Sequence, residues 1–265
     1  MKIQRIIVIL ILAMSLAACK STVVDASTYD KMTSSFKDML SSLPDEERKQ
    51  FFNAYSSIIY SYQNHVAFRD KGDTREVIQK RLNSKIGGMN ASQILDEYKK
   101  VKKKRALWDI QEIEKNLLKG QDSDKQLSLV TIDSYKLYLG KDGYLDRIFL
   151  DAVIKNNSKY KLSSAVFLLR VGSSYSDTLL PPQRNIYIEF PSGLESGHEV
   201  MKKIDLGYPS SQRYLPKEPI LAEQATSRIT GDGIDISANR YPTISVLEQS
   251  LKKAKKYFED EFQQQ

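Results

Sequence analysis

The chain has very little cysteine, histidine and tryptophan. Its 265 residues contain one cysteine, two histidines and one tryptophan. A single cysteine excludes internal disulfide bonds, so the stability of the fold has to come from packing. The histidines, His65 and His198, fall in different predicted domains and have no nucleophile motif or metal-ligand spacing near them. We therefore expect both to be structural, and we predict no catalytic residues, no metal site and no cofactor.

Long apolar runs are also missing after residue 18. The single run extends from Ile6 to Ala18 and is preceded by the basic residues Lys2 and Arg5. It is shorter than the roughly 20 residues that a membrane-spanning helix needs. A basic start, a short apolar centre and a small-residue end are typical of a secretory signal peptide. We predict that residues 1–18 are a cleaved signal and that no segment spans a membrane.

The only cysteine stands directly after this run. Leu16-Ala17-Ala18-Cys19 resembles the lipobox of bacterial lipoproteins. The resemblance implies that Cys19 receives a diacylglyceryl thioether, becomes the mature N-terminus after cleavage and is often acylated on its amine. Its acyl chains, at about 0.8 kcal/mol per buried methylene, form an anchor that does not readily dissociate. The alternative is an ordinary small cysteine at the end of a cleaved signal.

The residues after the cysteine predict where the folded body lies. In the bacterial sorting scheme that this arrangement resembles, a residue other than aspartate after the cysteine permits export to the outer membrane, and here that residue is Lys20. We expect an outer-membrane protein that faces the periplasm in a host with two membranes. Residues 19–26 are predicted to be a short tether. The seven residues from Lys20 to Ala26 reach roughly 25 Å when extended, so the body is expected close to the membrane.

The first half of the chain has helical periodicity. A cap at Ser27 and apolar residues at steps of three and four predict one helix, and Pro44, followed by three acids, starts a second. Residues from Gln63 to Asn83 are weakly patterned and predict a loop with a short helix. Asn90 as cap, with Gln93 at the return position, predicts a long helix from Ala91 to about Lys119. Residues 27–120 are therefore predicted to be a helical domain with an antiparallel hairpin.

Two short segments of this half carry a family resemblance. Val24-Asp25-Ala26-Ser27-Thr28 and Gly88-Met89-Asn90-Ala91-Ser92-Gln93-Ile94 resemble segments of an uncharacterised family of small, helical bacterial lipoproteins. The resemblance covers about Cys19 to Lys100. It implies a fold rather than an activity, because the family supplies no catalytic residues.

The strongest charge feature is a basic run on the long helix. Six of seven consecutive positions are positive: Lys99, Lys100, Lys102, Lys103, Lys104 and Arg105. One interpretation is a patch for an anionic surface, where each cation adds about 1 kcal/mol near the membrane. The other is a solvated helix face whose lysines pair with acids on adjacent turns, namely Glu97, Asp109, Glu112 or Glu114. The formal charge of the chain is +7, which favours anionic neighbours, but nucleic acid is not expected as a partner in the envelope.

The second half changes to strand periodicity. Strands are predicted from Gln126 onward, with a hairpin turn at Lys141-Asp142-Gly143 and a late pair around Asp232-Gly233. Turns at these intervals predict a β-sandwich-like domain at residues 126–240. The order "DAVIKNNS", a polar gap and "AVFLLRV" resembles the immunoglobulin-like modules of bacterial envelope proteins, which implies binding rather than catalysis. Residues 243–263 are predicted to form a closing amphipathic helix.

Together these patterns predict an α+β protein. We expect a lipid-anchored envelope protein with a non-catalytic binding or scaffolding role, joined to the membrane through Cys19 and to another envelope protein or a wall component through its folded part. Two alternatives stay open. One is an envelope hydrolase with an unrecognised site, and the other is an anionic-lipid-binding module that uses the basic run. The oligomeric state is not predicted.

Overall fold

The computed structural model describes residues 22–173, 184–207 and 219–263. The predicted signal, residues 1–18, and Cys19 lie outside these residues. The α+β prediction is confirmed, because a helical region and a long helix are followed by antiparallel sheets and a closing helix. The chain divides into two compact units. A helical unit comprises the described residues up to Glu112 together with those from Lys252 onward, and a β unit comprises Ile113–Leu251.

The helices follow the order predicted from periodicity. They are α1 (Tyr29–Ser42), α2 (Asp45–Asn64), a 3-10 turn (Val66–Phe68), α3 (Arg75–Ile86), α4 (Ala91–Ser128) and α5 (Ile244–Phe262). The expected capping box at the start of α4 is present, since Gln93 Oε1 accepts the N–H of Asn90 at 2.9 Å and Asn90 Oδ1 accepts the N–H of Gln93 at 3.0 Å. The first helix is capped by Thr28 rather than by Ser27, because the Thr28 hydroxyl accepts the N–H of Lys31 at 3.2 Å.

The long helix α4 continues beyond its predicted end. It was expected to end at about Lys119, but it extends to Ser128. Its last turns are polar and contain Gly120, which weakens the sequence signal for a helix. Gln126 and Leu127 at the end of α4 are nevertheless buried in the β unit. Tertiary packing therefore extends the helix where local propensity does not predict it.

The core of the helical unit is built from the apolar faces of its helices. An aromatic group lies at its centre, where the Phe36 ring stacks on Tyr55 with centroids 4.4 Å apart and on Phe51 at 5.6 Å. The surrounding buried side chains include Met39, Ile58, Leu82, Ile86, Ile94 and Val101. Among the residues described, no helix is both long and apolar enough to cross a membrane.

In the described part of the β unit, seven antiparallel strands form two sheets. The strands are β1 (Val130–Asp142), β2 (Leu145–Asn156), β3 (Leu162–Ser173), β4 (Arg184–Leu194), β5 (His198–Gly207), β6 (Pro219–Gly231) and β7 (Ile234–Ser237). The strand order is β1-β2-β5 in one sheet and β4-β3-β6-β7 in the other. The predicted turn is a tight hairpin, with Asp142 paired to Leu145 and Gly143 at φ 62°. Buried side chains from both sheets, such as Leu150 and Phe167, form one core.

A buried asparagine joins the β2–β3 connection to the end of β4. Asn156 is fully buried and donates both amide hydrogens, to the carbonyls of Tyr160 and Leu194, each at 2.8 Å. Its side-chain oxygen accepts from the N–H and the hydroxyl of Ser158 at 3.1 and 2.6 Å. The side chain therefore satisfies buried groups on two separate segments of the β unit.

Candidate functional site

The chain enters the helical core shortly after the predicted lipid site. We call this region the N-terminal junction. It consists of Val24, Asp25 and Ala26 and of the turn at 87–89 that they contact. Val24 is 1% exposed. Its N–H donates to the carbonyl of Met89 at 2.9 Å, and its carbonyl accepts the N–H of Gly88 at 2.8 Å. These two hydrogen bonds fix the chain to the turn before α4.

Glycine is required where the turn meets the N-terminal segment. A Cβ atom on Gly87 would lie 2.8 Å from the carbonyl oxygen of Asn83 and 3.4 Å from the Cβ of Ala26. Gly88 has a φ of 78°, which favours glycine. Gly87 therefore suits the tight end of α3, and Gly88 adopts the left-handed turn conformation in which its N–H donates to Val24.

Polar contacts hold the next residue of the junction. The N–H of Asp25 donates to the buried hydroxyl of Ser35 at 3.0 Å. The Asp25 carboxylate accepts the N–H of Ser27 at 3.0 Å and lies 3.9 Å from the Lys31 ammonium. Hydrogen bonding from Ser27, with a smaller contribution from Lys31, lowers the pKa of Asp25.

The junction shortens the predicted tether. Of residues 19–26, Val24 and Ala26 already pack in the helical unit. Five residue steps separate Cys19 from Val24, a span of about 17 Å when fully extended. No sequence pattern predicts this packing, because a lone apolar pair, Val23-Val24, in a polar segment has no helical or strand period.

The middle of the basic run contacts the closing helix. Lys102 Nζ lies 2.6 Å from a Glu261 carboxylate oxygen and 5.5 Å from the ring centroid of Tyr257. Lys103 Nζ lies 5.9 Å from the ring centroid of Phe258. These contacts, all within the helical unit, attach the last turns of α5 to α4.

The remaining members of the run have other neighbours. Lys99 and Lys100 lie 3.8 and 4.0 Å from the acids three positions earlier, Asp96 and Glu97. Lys104 Nζ lies 4.5 Å from the centroid of the Phe68 ring. Arg105 donates to the Ser61 hydroxyl at 3.4 Å. The six cations therefore face several different partners rather than one continuous solvent surface.

Glu97 is a buried acid among these cations. Its side chain is 5% exposed, and its carboxylate lies 3.2 Å from the Lys85 ammonium on α3. A buried carboxylate needs such a partner, because desolvation of an unpaired charge costs several kcal/mol. One interpretation of the basic run pairs Glu97 along its own helix, as it does with Lys100, but no local pattern predicts its contact with Lys85 on α3.

Each histidine makes local hydrogen bonds. His65 Nδ1 accepts the N–H of Ala67 at 3.2 Å, so the proton of the neutral ring is on Nε2, which lies 3.3 Å from Asp109 Oδ1. The half-buried Trp108 stands edge-on to this ring at 5.2 Å. His198 lies in the β unit, is exposed and has Nδ1 3.2 Å from the Ser196 carbonyl. The fold does not place both histidines in the same unit.

The acidic segment near residue 232 is a hairpin, as expected. Gly231 pairs with Ile234 across a turn in which Gly233 has a φ of 71°. Asp235 receives two hydrogen bonds from Arg228, at 2.7 and 2.5 Å, and these lower its pKa. Within the described ranges, no group of three histidine, cysteine, aspartate or glutamate side chains is placed to hold a metal ion.

Comparisons with known proteins bear on the N-terminal part of the chain. Neither the curated proteins nor the solved structures include a match. Residues 5–103 match the model of a family described as "Family of unknown function (DUF6694)". This match confirms the expectation that the N-terminal part resembles an uncharacterised family.

Proposed function

We propose that this protein is a lipoprotein of the bacterial cell envelope with a binding or scaffolding role. Lipid on Cys19 holds it in the outer membrane, and its folded part faces the periplasm. The observation that carries the proposal is the burial of Val24, five positions after a cysteine in a lipobox-like sequence. Because the connection spans only about 17 Å, the lipid restrains the position of the helical unit in a way that a long flexible linker would not.

We also propose that the β unit is an immunoglobulin-like binding module. Lettering the seven described strands A to G in chain order gives sheets A-B-E and D-C-F-G. Constant-type immunoglobulin domains have sheets A-B-E-D and C-F-G, so the two arrangements differ only in the sheet that holds the fourth strand. This order supports the proposal, although a fold alone does not name a ligand.

Exposed apolar side chains on two edge strands are the proposed contacts with an envelope partner. Tyr187 on β4 is 60% exposed, and Met201 on β5 is 73% exposed. In the described part of the β unit, β4 pairs only with β3 and β5 only with β2. Strand edges with open hydrogen-bonding groups are common docking sites for extended segments. The partner in this proposal is an envelope protein or a wall component.

Intact-mass analysis of protein extracted from its native membrane tests the lipid. We expect a chain that begins at Cys19 and carries the mass of a diacylglyceryl group or more. Cys19→Ser should abolish the incorporation of labelled fatty acid, whereas the control Lys20→Ala should incorporate it normally. A free Cys19 thiol in membrane-extracted protein would contradict the proposal.

Site-specific photo-crosslinking in cells tests the binding role. A photoreactive residue at position 187 or 201 should give the same discrete adduct with an envelope component. The matched control is position 248, because Glu248 is also exposed but belongs to the helix α5 and to neither strand. Identical adducts at all three positions, or none at positions 187 and 201, would refute docking at these edges.

A further inference from the structure

A basic depression lies in the helical unit between the 3-10 turn, α3 and α4. Its volume is about 350 Å³. Four cationic side chains from three segments line it, namely Arg69, Arg81, Lys85 and Lys104. The described lining also contains the acid Asp70 and the exposed hydroxyl side chain of Ser84.

Arg81 is held by a dense set of hydrogen bonds. Its Nη1 donates to the Phe68 carbonyl and to Asp73, both at 2.8 Å. Its Nη2 donates to Asp70 at 2.9 Å and to the second Asp73 oxygen at 3.3 Å. The guanidinium therefore fixes the loop that carries Arg69 against α3, while two carboxylates compensate its charge.

Arg69 and Lys104 differ from the other two cations. Lys85 lies 3.2 Å from Glu97. By contrast, no carboxylate in the ranges described lies within 4 Å of the Arg69 guanidinium or the Lys104 ammonium. Lys104 instead lies over the ring of Phe68, whose carbonyl orients Arg81. Two cations without an ion pair within 4 Å among the described residues thus line the same depression, where Lys104 lies over Phe68 and the charge of Arg69 acts at longer range on Asp73.

We propose that this depression binds a phosphate group through Arg69 and Lys104, with the Ser84 hydroxyl as a further donor. Arginine offers two parallel N–H groups to phosphate oxygens, and lysine offers a compact positive charge. The phosphate belongs either to a lipid headgroup or to a free phosphate compound, since the chemistry of recognition is shared. The inference does not depend on Cys19, because every contributing residue lies in the helical unit.

The single tryptophan is a built-in reporter for this site. Trp108 lies one helical turn after Lys104 on α4, and positions four apart are neighbours on a helix surface. The full chain in uncharged detergent micelles is titrated with inorganic phosphate at constant ionic strength. A second titration adds phosphatidylglycerol to the micelles. We expect a saturable change in Trp108 fluorescence in at least one of the two.

Four variants separate a defined site from diffuse charge attraction. Arg69→Gln and Lys104→Gln should each weaken binding about tenfold, because a charge-assisted hydrogen bond contributes about that much. The control Lys99→Gln removes the same charge from an exposed position on α4 outside the depression and should leave the affinity unchanged. Arg69→Lys should retain part of the affinity, and circular dichroism checks that each variant is folded.

The outcomes decide both the site and its ligand. A response to inorganic phosphate that Arg69→Gln and Lys104→Gln weaken supports a site for free phosphate compounds. A response that only phosphatidylglycerol micelles give, with the same variant pattern, supports a lipid headgroup. No saturable response to either compound overturns the proposal. An equal loss in Lys99→Gln overturns it as well, because the whole basic run would then act as a diffuse charge.

Discussion

At the scale of single residues, buried polar groups with fixed partners carry much of the specificity of this fold. The Asn156 side chain makes four hydrogen bonds, which connect two segments of the β unit. Tyr55 is the opposite case, because its hydroxyl is buried and has no hydrogen-bond partner among the described atoms. A buried group with partners and one without should respond in opposite ways to truncation.

Asn156→Ala should destabilise the β unit by about 2–4 kcal/mol, because it removes the donors of the buried Leu194 carbonyl and the partly buried Tyr160 carbonyl. Hydrogen–deuterium exchange of the β2 and β5 amides measures this loss. The neighbouring Asn157 is exposed, so Asn157→Ala should leave the exchange rates nearly unchanged. Equal effects of the two substitutions would show that the buried hydrogen bonds do not stabilise the unit.

Tyr55 should make the helical unit sensitive to alkali. Burial of the phenol raises the pKa of Tyr55 from 10.0 to about 12. The unfolded chain therefore loses this proton at lower pH than the folded one, and stability should fall as pH rises from 10 towards 12. Tyr55→Phe should reduce that fall without loss of stability at neutral pH. Urea unfolding followed by Trp108 fluorescence measures the free energy of unfolding at each pH, and Tyr60→Phe, at an exposed position, is the control. An equal fall of this free energy with pH in both variants would show that Tyr55 is not the cause.

At the scale of elements, periodicity predicts the existence of the helices and strands better than it predicts which distant elements and side chains they contact. The strand pair around Gly143 and the capping box at Asn90 depend on neighbouring residues, so both could be predicted from sequence. The end of α4 depends on burial against distant strands and could not. The ion pair of Lys102 joins positions 159 apart, and no local pattern encodes that pairing. The same holds for Arg69 and Lys104, which share a depression only after α3 and α4 have packed.

The attachment of α5 gives a test at this scale. Burial alone would lower the pKa of Lys102, but the hydrogen bonds and charges of Glu261 and Tyr257 together outweigh burial, so the pKa is raised. Glu261→Gln should therefore loosen the last turns of α5 by about 0.2–1 kcal/mol, as for other partly exposed ion pairs. Amide exchange of residues 252–263 measures this change. Glu259→Gln on the same helix is the control, and equal exchange in both variants would show that the ion pair does not hold the helix.

At the scale of the whole molecule, the N-terminal junction sets the distance between the predicted lipid and the helical unit. Only the residues from Lys20 to Val23 lie between Cys19 and Val24, the first buried position among the residues that the structure describes. The sequence predicted a short tether but not its end, because the burial of Val24 depends on a turn more than sixty residues later. The family match at residues 5–103 includes both this segment and that turn.

Lengthening this connection should move the helical unit away from the bilayer. A Gly/Ser insertion of about ten residues after Ser21 adds up to about 35 Å of reach. Energy transfer from Trp108 to dansyl-labelled lipid in reconstituted vesicles should fall. The same insertion after Gln263 leaves the connection unchanged and is the control. Transfer that stays constant in the first variant would show that the connection does not set this distance.

The two backbone hydrogen bonds of Val24 also determine how the molecule responds to mechanical force. A pull applied at Cys19 loads Val24 before it reaches α1, and the turn at Gly88 and Met89 passes that load to the start of the 38-residue helix α4. The first helix α1 therefore cannot unfold from its N-terminal end under this force until the hydrogen bonds of Val24 to Gly88 and Met89 have broken.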